Sequence, residues 1–87
     1  MPIKFHYTYV LRSLKDRLFY IGFSDDLRKR VKDHNAGKNV STKNRRPLEL
    51  IFYEAFSSKV DALRRETYFK TTKGKVTLRQ MLKEYLK

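Results

Sequence analysis

Residues 19–30 read FYIGFSDDLRKR. An aromatic and β-branched run ends at a glycine, and a helix start rich in arginine and lysine follows it. A phenol at the mouth of so basic an element is an odd choice for merely holding phosphate. It suits a site that must act on the phosphate.

Working outward, residues 5–12, FHYTYVLR, have strand composition like residues 18–22, LFYIG, and Ser13-Leu14-Lys15-Asp16 between them has turn chemistry. The two runs read as a hairpin. A turn of residues 13–16 sets Leu11 opposite Leu18 and Tyr9 opposite Tyr20, so the two hydroxyls emerge on one face. Ser24 is the expected N-cap of the next helix, with Asp25 and Asp26 at its positive end. That helix is expected to run to Ala36 and stop at Gly37. Its apolar stripe is thin: Leu27, Val31 and then His34. Residues 37–46, GKNVSTKNRR, read as a mobile basic loop. Pro47 introduces a third strand, LELIFYEAF. Ser58 and Asp61 resemble a capping box opening a helix that continues to Gly74. A shorter basic helix, VTLRQMLKEYL, follows. The order is β-β-α-β-α-α, an α+β class with a small antiparallel or mixed sheet, and residues 1–87 are expected to form a single domain.

Composition narrows the chemistry. Lys and Arg number 21 against nine acids, a formal charge of +12, and nucleic acid is the partner such an excess favours. There is no cysteine, so disulfides and thiolate zinc sites are excluded, and an intracellular, cytoplasmic setting is expected. His6 and His34 are too few for a structural zinc site. MPIKFHY has no signal-peptide pattern, no apolar run reaches membrane-spanning length, and the Asn39-Val40-Ser41 sequon reads as an accident.

Glu66 is the most surprising residue. On a helical wheel Val60, Ala62, Leu63, Thr67 and Phe69 mark one broad face, and Glu66 lies inside it. A carboxylate there needs a cation or hydrogen bonds. An ion pair and a metal ligand fit equally well. Mg²⁺ takes only one or two protein carboxylates and leaves its other positions to water and phosphate oxygens. Arg30 lies one turn before His34, on the same helical face. Its planar fork matches a phosphate. From the residues alone the favoured reading of Arg30 is one cation among several on a solvated face, and that of His34 an edge-of-core histidine. Tyr9 and Tyr20 could simply pack, and a phenol is a poor base at neutral pH. Arg28, Lys29, Lys32, Lys38, Lys43, Arg45, Arg46, Lys70 and Lys73 are the expected nucleic-acid contacts.

Taken together, TYV at 8–10, YIG at 20–22, the Arg30–His34 pair and ALRRE at 62–66 resemble the GIY-YIG nuclease family, in its small stand-alone bacterial endonuclease type. The resemblance covers nearly the whole chain. It implies a three-stranded, mostly antiparallel sheet flanked by helices, and cleavage of DNA phosphodiesters with one divalent metal, Mg²⁺ or Mn²⁺, in repair or recombination. Position by position it implies that Tyr9 and Tyr20 are the motif tyrosines, Arg30 the phosphate contact, Glu66 the metal carboxylate and His34 a histidine some members keep near the site. It does not say which tyrosine takes the proton. The first motif reads Tyr7-Thr8-Tyr9 and lacks its glycine. Phe23 stands where some members have a lysine, and Leu78 stands near where some have a polar residue. A non-cutting nucleic-acid-binding module of the same fold and a basic protein-docking domain remain alternative readings. One site cuts one strand, so a double-strand break would need a homodimer or two encounters.

Overall fold

The computed structural model describes residues 3–87; Met1 and Pro2, with which the reading of the N-terminus begins, lie outside it. The elements are β1 (His6–Ser13), β2 (Phe19–Ser24), α1 (Leu27–Asn35), β3 (Leu48–Phe56), α2 (Lys59–Phe69) and α3 (Thr72–Met81). The class is α+β in the expected order. The sheet is wholly antiparallel, with β1 central in the order β2-β1-β3.

Strand alternation divides the core into two layers. Tyr9 and Leu11 point to one face, where Leu48, Leu50 and Tyr20 join them under Leu27 and Val31 of α1. Val10 and Ile21 point to the other, where Phe69 of α2 and Leu78 of α3 close over them. Leu78 is therefore a core residue and takes no part in the site. The β1–β3 register shifts between Val10 and Leu11, which pair with Phe52 and Leu50. Ile51 is the extra residue, and both Ile51 and Phe52 pack on the α2 side.

Several expected details are corrected. The hairpin pairs Tyr9 with Gly22 and Leu11 with Tyr20, two residues away from the register a turn at 13–16 requires. Ser13 Oγ accepts the Lys15 and Asp16 amides, and Arg17 adopts a left-handed conformation (φ 67°), so the loop is longer. The N-cap of α1 is Asp26, whose carboxylate accepts the Lys29 amide at 3.1 Å; Ser24 instead accepts the Asp26 amide. The helix ends at Asn35, capped by Ala36, before the chain turns at Gly37 (φ 78°).

Ser58 is the N-cap of α2, but its hydroxyl makes no cap hydrogen bond, and Asp61 faces Arg64 at 3.7 Å. No capping box forms. The helix also stops short of Gly74. Thr71 ends it and caps α3, donating to the Tyr68 carbonyl and accepting the Gly74 amide at 3.0 Å. Gly74 lies inside α3, because any β-carbon there would strike that Tyr68 carbonyl. The last helix accordingly begins at Thr72 and ends at Met81, several residues ahead of VTLRQMLKEYL.

The buried face of α2 differs as well. Val60 is 63% exposed, Leu63 37%, and Thr67 also faces out; Ala62 and Phe69 are buried. The Ala62 carbonyl accepts the Thr8 hydroxyl at 2.6 Å, so the helix backbone meets β1 where only a small side chain fits. Beside it Arg65 lies over the Phe69 ring and pairs with Glu54 at 2.7 Å. A long cationic stem does the covering that the wheel assigns to apolar residues.

Candidate active site

The site begins at Gly22. The strand pairing brings Tyr9 directly across from it, and the Tyr9 phenol occupies the space a β-carbon would need. This is the physical reason for the glycine of YIG. Tyr9 is fully buried. Tyr20 follows diagonally on the same face, its ring 6.4 Å from that of Tyr9. The register error of two residues preserved strand faces, so the two phenols are neighbours as expected.

From α1, His34 inserts between them and lies fully buried. Its Nε2 is 2.8 Å from the Tyr9 hydroxyl, and its Nδ1 is 2.7 Å from Thr42 Oγ1. The Tyr20 ring meets the imidazole edge to face at 5.0 Å. Burial, and then the Arg30 charge, hold the His34 pKa below its ordinary value, with Asp33 opposing. The imidazole is therefore neutral, with one nitrogen donating and the other accepting. It positions Tyr9.

Thr42 is the residue sequence reasoning missed. It is buried, lies eight positions beyond His34 in the basic loop, and carries no local signal. That loop, expected to be mobile, makes specific contacts with the rest of the fold. It contains a short 3-10 turn (Lys43–Arg45), donates no slack at Thr42, and is tied to the hairpin by Ser13 Oγ on the Arg45 carbonyl at 2.6 Å.

Arg30 and Glu66 complete the cluster around Tyr9. Burial pushes the Tyr9 phenol well above its ordinary pKa; Tyr20 and Glu66 push the same way, while the Arg30 charge opposes them. The hydroxyl thus feels a cation from α1 and a carboxylate from α2. Arg30 itself is exposed. The Glu66 side chain is only 20% exposed, as expected of its face, and its Oε2 accepts from Lys70 at 3.2 Å. The Tyr20 hydroxyl has no hydrogen-bond partner among the described residues.

The donor set decides what metal could bind. Among the described residues no three His, Cys, Asp or Glu side chains gather. A zinc cage or a carboxylate-rich two-metal site does not fit. One half-buried carboxylate close enough to act on the Tyr9 hydroxyl does fit Mg²⁺ or Mn²⁺, which leave their other positions to water and phosphate oxygens.

The expected nucleic-acid contacts separate into two groups. Arg28, Lys32, Lys43 and Lys73 are exposed, with no ion pair among the described residues. Lys29 and Lys38 share Asp33, at 2.9 and 3.6 Å, and Lys70 pairs with Glu66. Their ammonium groups remain mostly exposed, and such pairs are weak enough to yield to phosphate. Arg46 donates to the Lys43 carbonyl at 2.7 Å. Arg45 is engaged within the fold. It is half-buried, bonds Asp16 at 2.8 Å, and reaches the Phe19 carbonyl, so it holds the loop to the hairpin. That contact keeps the Asp16 pKa down at about 2.

Comparison with known proteins gives the family and the fold. Residues 5–80 match the family model described as the GIY-YIG catalytic domain, so the chain belongs to the GIY-YIG family. The UPF0213 protein YazA of Bacillus subtilis is 53% identical over 66 residues, which is 75% of this chain and 66% of YazA, just under two thirds of its length. The UPF0213 protein SH2523 of Staphylococcus haemolyticus is 45% identical over 67 residues, 76% of this chain and 80% of that protein. The solution NMR structure of the UPF0213 protein BH0048 from Bacillus halodurans superposes with a TM-score of 0.56 at 35% identity, covering 88% of this chain and 84% of that one. Within the GIY-YIG family the chain groups with these small bacterial UPF0213 proteins. Among the described residues no helix is long and apolar enough to cross a membrane.

Proposed function

We propose that residues 1–87 act as one domain, a metal-dependent endonuclease that hydrolyses DNA phosphodiester bonds. The observation that carries this reading is the convergence on one buried phenol, Tyr9, of His34 and Arg30 from α1 and of Glu66 from α2. A surface that only binds phosphate has no use for a buried Tyr–His–Thr chain.

In this reading Arg30 holds the scissile phosphate and stabilises the charge that grows on it during in-line attack. Glu66, once freed from Lys70, would hold Mg²⁺ or Mn²⁺, which would supply Lewis-acid stabilisation of the charge that develops on the phosphate. The two phenols have different tasks. Tyr9, buried and pushed up in pKa, stays protonated and is a fixed hydrogen-bonding group. Tyr20, half-buried and with its hydroxyl unbonded, orients the attacking water and relays its proton. Neutral His34 keeps Tyr9 in place. The substrate is intracellular DNA, with repair or recombination as the setting, and breaks in both strands would take two copies of the chain.

The test is cleavage of labelled DNA with Mg²⁺, Mn²⁺ or EDTA, by the wild type and by Tyr20→Phe. Metal-dependent cuts that Tyr20→Phe loses, with DNA binding retained, support the reading. Binding without cuts on branched, nicked, single-stranded and duplex substrates would favour the non-cutting module, in which the Glu66–Lys70 pair is only structural.

A further inference from the structure

The sheet face that carries Tyr9 and Tyr20 is only partly roofed. Helix α1 is short: it covers the Leu48 and Leu50 end of β3 on that face and leaves Tyr53 open. Tyr53 pairs with Tyr9 across the β1–β3 ladder, so it shares the face, yet it is 52% exposed. Tyr7, two residues before Tyr9 on β1, meets Tyr53 edge to face at 5.9 Å. With Leu50 these two rings floor a groove of about 520 Å³. Its wall is the flank of α1, where half-buried Leu27 and Val31 continue the apolar surface.

The rim is cationic. Arg28 and Lys32, one helical turn apart, line the groove and have no ion pair among the described residues. Asp25 and Asp26 also line it, but both are engaged. Asp25 bonds His6 at 2.6 Å and faces Lys4 at 3.8 Å, and Asp26 caps α1. Arg28 and Arg30 lie about 200° apart on the helix. Helix α1 therefore presents Arg30 to the candidate active site and Arg28 to this groove, with Tyr9 and Tyr53 side by side beneath.

We propose that this groove takes an unpaired base of the nucleic-acid substrate, stacked on Tyr53 and Tyr7, with the adjoining phosphate on Arg28 and Lys32. The substrate class is then a nucleic acid with a single-stranded segment beside the cleaved bond. A base inside a duplex is already stacked on its neighbours and cannot reach an aromatic floor, whereas an unpaired base can. Charge selects against a second copy as occupant, because a chain of net charge +12 would bring cation onto cation at this rim. The inference rests on the nucleic-acid part of the proposed function and is independent of cutting.

The test is fluorescence anisotropy in EDTA, with a short labelled single strand and a duplex of the same sequence, comparing the wild type, Tyr53→Ala and Tyr53→Phe. Tyr53 is exposed enough for both variants to fold. Losing one base–aromatic stack weakens single-strand binding by roughly tenfold or more, and duplex binding should not change. Tyr53→Phe should bind as the wild type does. Replacing the bases of the single strand by abasic sites should abolish the difference between wild type and Tyr53→Ala. Equal losses on both substrates, no loss on either, or failure of phenylalanine to restore binding would overturn the proposal. So would a sedimenting dimer that Tyr53→Ala dissociates with DNA binding unchanged, since the occupant would then be a second copy. A wild type that binds single strands through Tyr53 yet never cuts with Mg²⁺ would leave the groove standing and remove the nuclease reading.

Discussion

Replacing Gly22 with alanine adds a single methyl group, and the structure gives its cost a definite sign. At an open strand position that change stabilises a protein by roughly 0.5–1 kcal/mol, because glycine loses more freedom on folding. At Gly22 the methyl carbon lands on the Tyr9 phenol. Tyr9 is fully buried and cannot swing into solvent without leaving its layer of the core. Overpacking of this kind costs about 1–3 kcal/mol. Displacing the ring also breaks the 2.8 Å bond between its hydroxyl and His34, leaving buried groups unpaired. That adds about 1–3 kcal/mol. The two costs sum to roughly 2–6 kcal/mol and the gain takes off about 0.5–1, leaving about 1–5 kcal/mol, and in a domain of this size each kcal/mol lowers Tm by about 4–8 °C. A thermal melt followed by circular dichroism should therefore show a fall of at least ~4 °C. Adding Gly22→Ala to Tyr9→Ala should cost far less than adding it to the wild type, because the obstacle is gone. A Gly22→Ala protein as stable as the wild type, or a cost that is the same in both backgrounds, would refute the reasoning that this glycine exists to seat Tyr9.

Other outcomes follow from the same contacts. Thr42→Val should cost about 1–3 kcal/mol in urea unfolding by leaving His34 Nδ1 unpaired, while Thr42→Ser should be close to wild type. His34 has a folded pKa below its ordinary value, so its contribution is fully present above about pH 6.5 and is lost as pH falls through the lower folded value. Wild-type Tm should fall between neutral and mildly acidic buffer, and more than that of His34→Asn; parallel curves would contradict this. Lys43→Ala should reduce the salt slope of DNA binding by roughly 0.9, while Arg45→Ala should lower Tm and leave that slope unchanged.

Much of the site was legible because its logic is local. Arg30 and His34 share a helical face by spacing alone. Tyr9 and Tyr20 share a sheet face under any register that differs by an even number of residues, so the wrong pairing still brought the right phenols together. The wheel places the Glu66 carboxylate on a covered face and it is half-buried, although Val60, Leu63 and Thr67, which mark that face, are exposed. What the sequence concealed depends on tertiary contact. The Ser13 turn fixes the hairpin through side-chain bonds to backbone amides, which composition does not reveal. The break between α2 and α3 rests on one threonine, Thr71, that bonds both helices, and on a glycine that must clear a carbonyl. Thr42 and Arg45 looked like members of a solvated basic loop. They are its anchors, because buried His34 and paired Asp16 lie across from them. Glu49 and Glu54 of β3 are partnered by Tyr85 and Arg65, which arrive from later in the chain.

The most direct measurement is a single-turnover cleavage assay of labelled DNA that contains both paired and unpaired segments, with Mg²⁺ or EDTA, using the wild type, Glu66→Gln and Arg30→Ala. The expected result is cutting by the wild type with Mg²⁺, none in EDTA, and none by Glu66→Gln, which should still bind the DNA; Arg30→Ala should lose the cut by at least about a hundredfold. Cutting that persists in Glu66→Gln, or no cutting by the wild type with either Mg²⁺ or Mn²⁺ although it binds the DNA, would contradict the assignment of this cluster as a nuclease site.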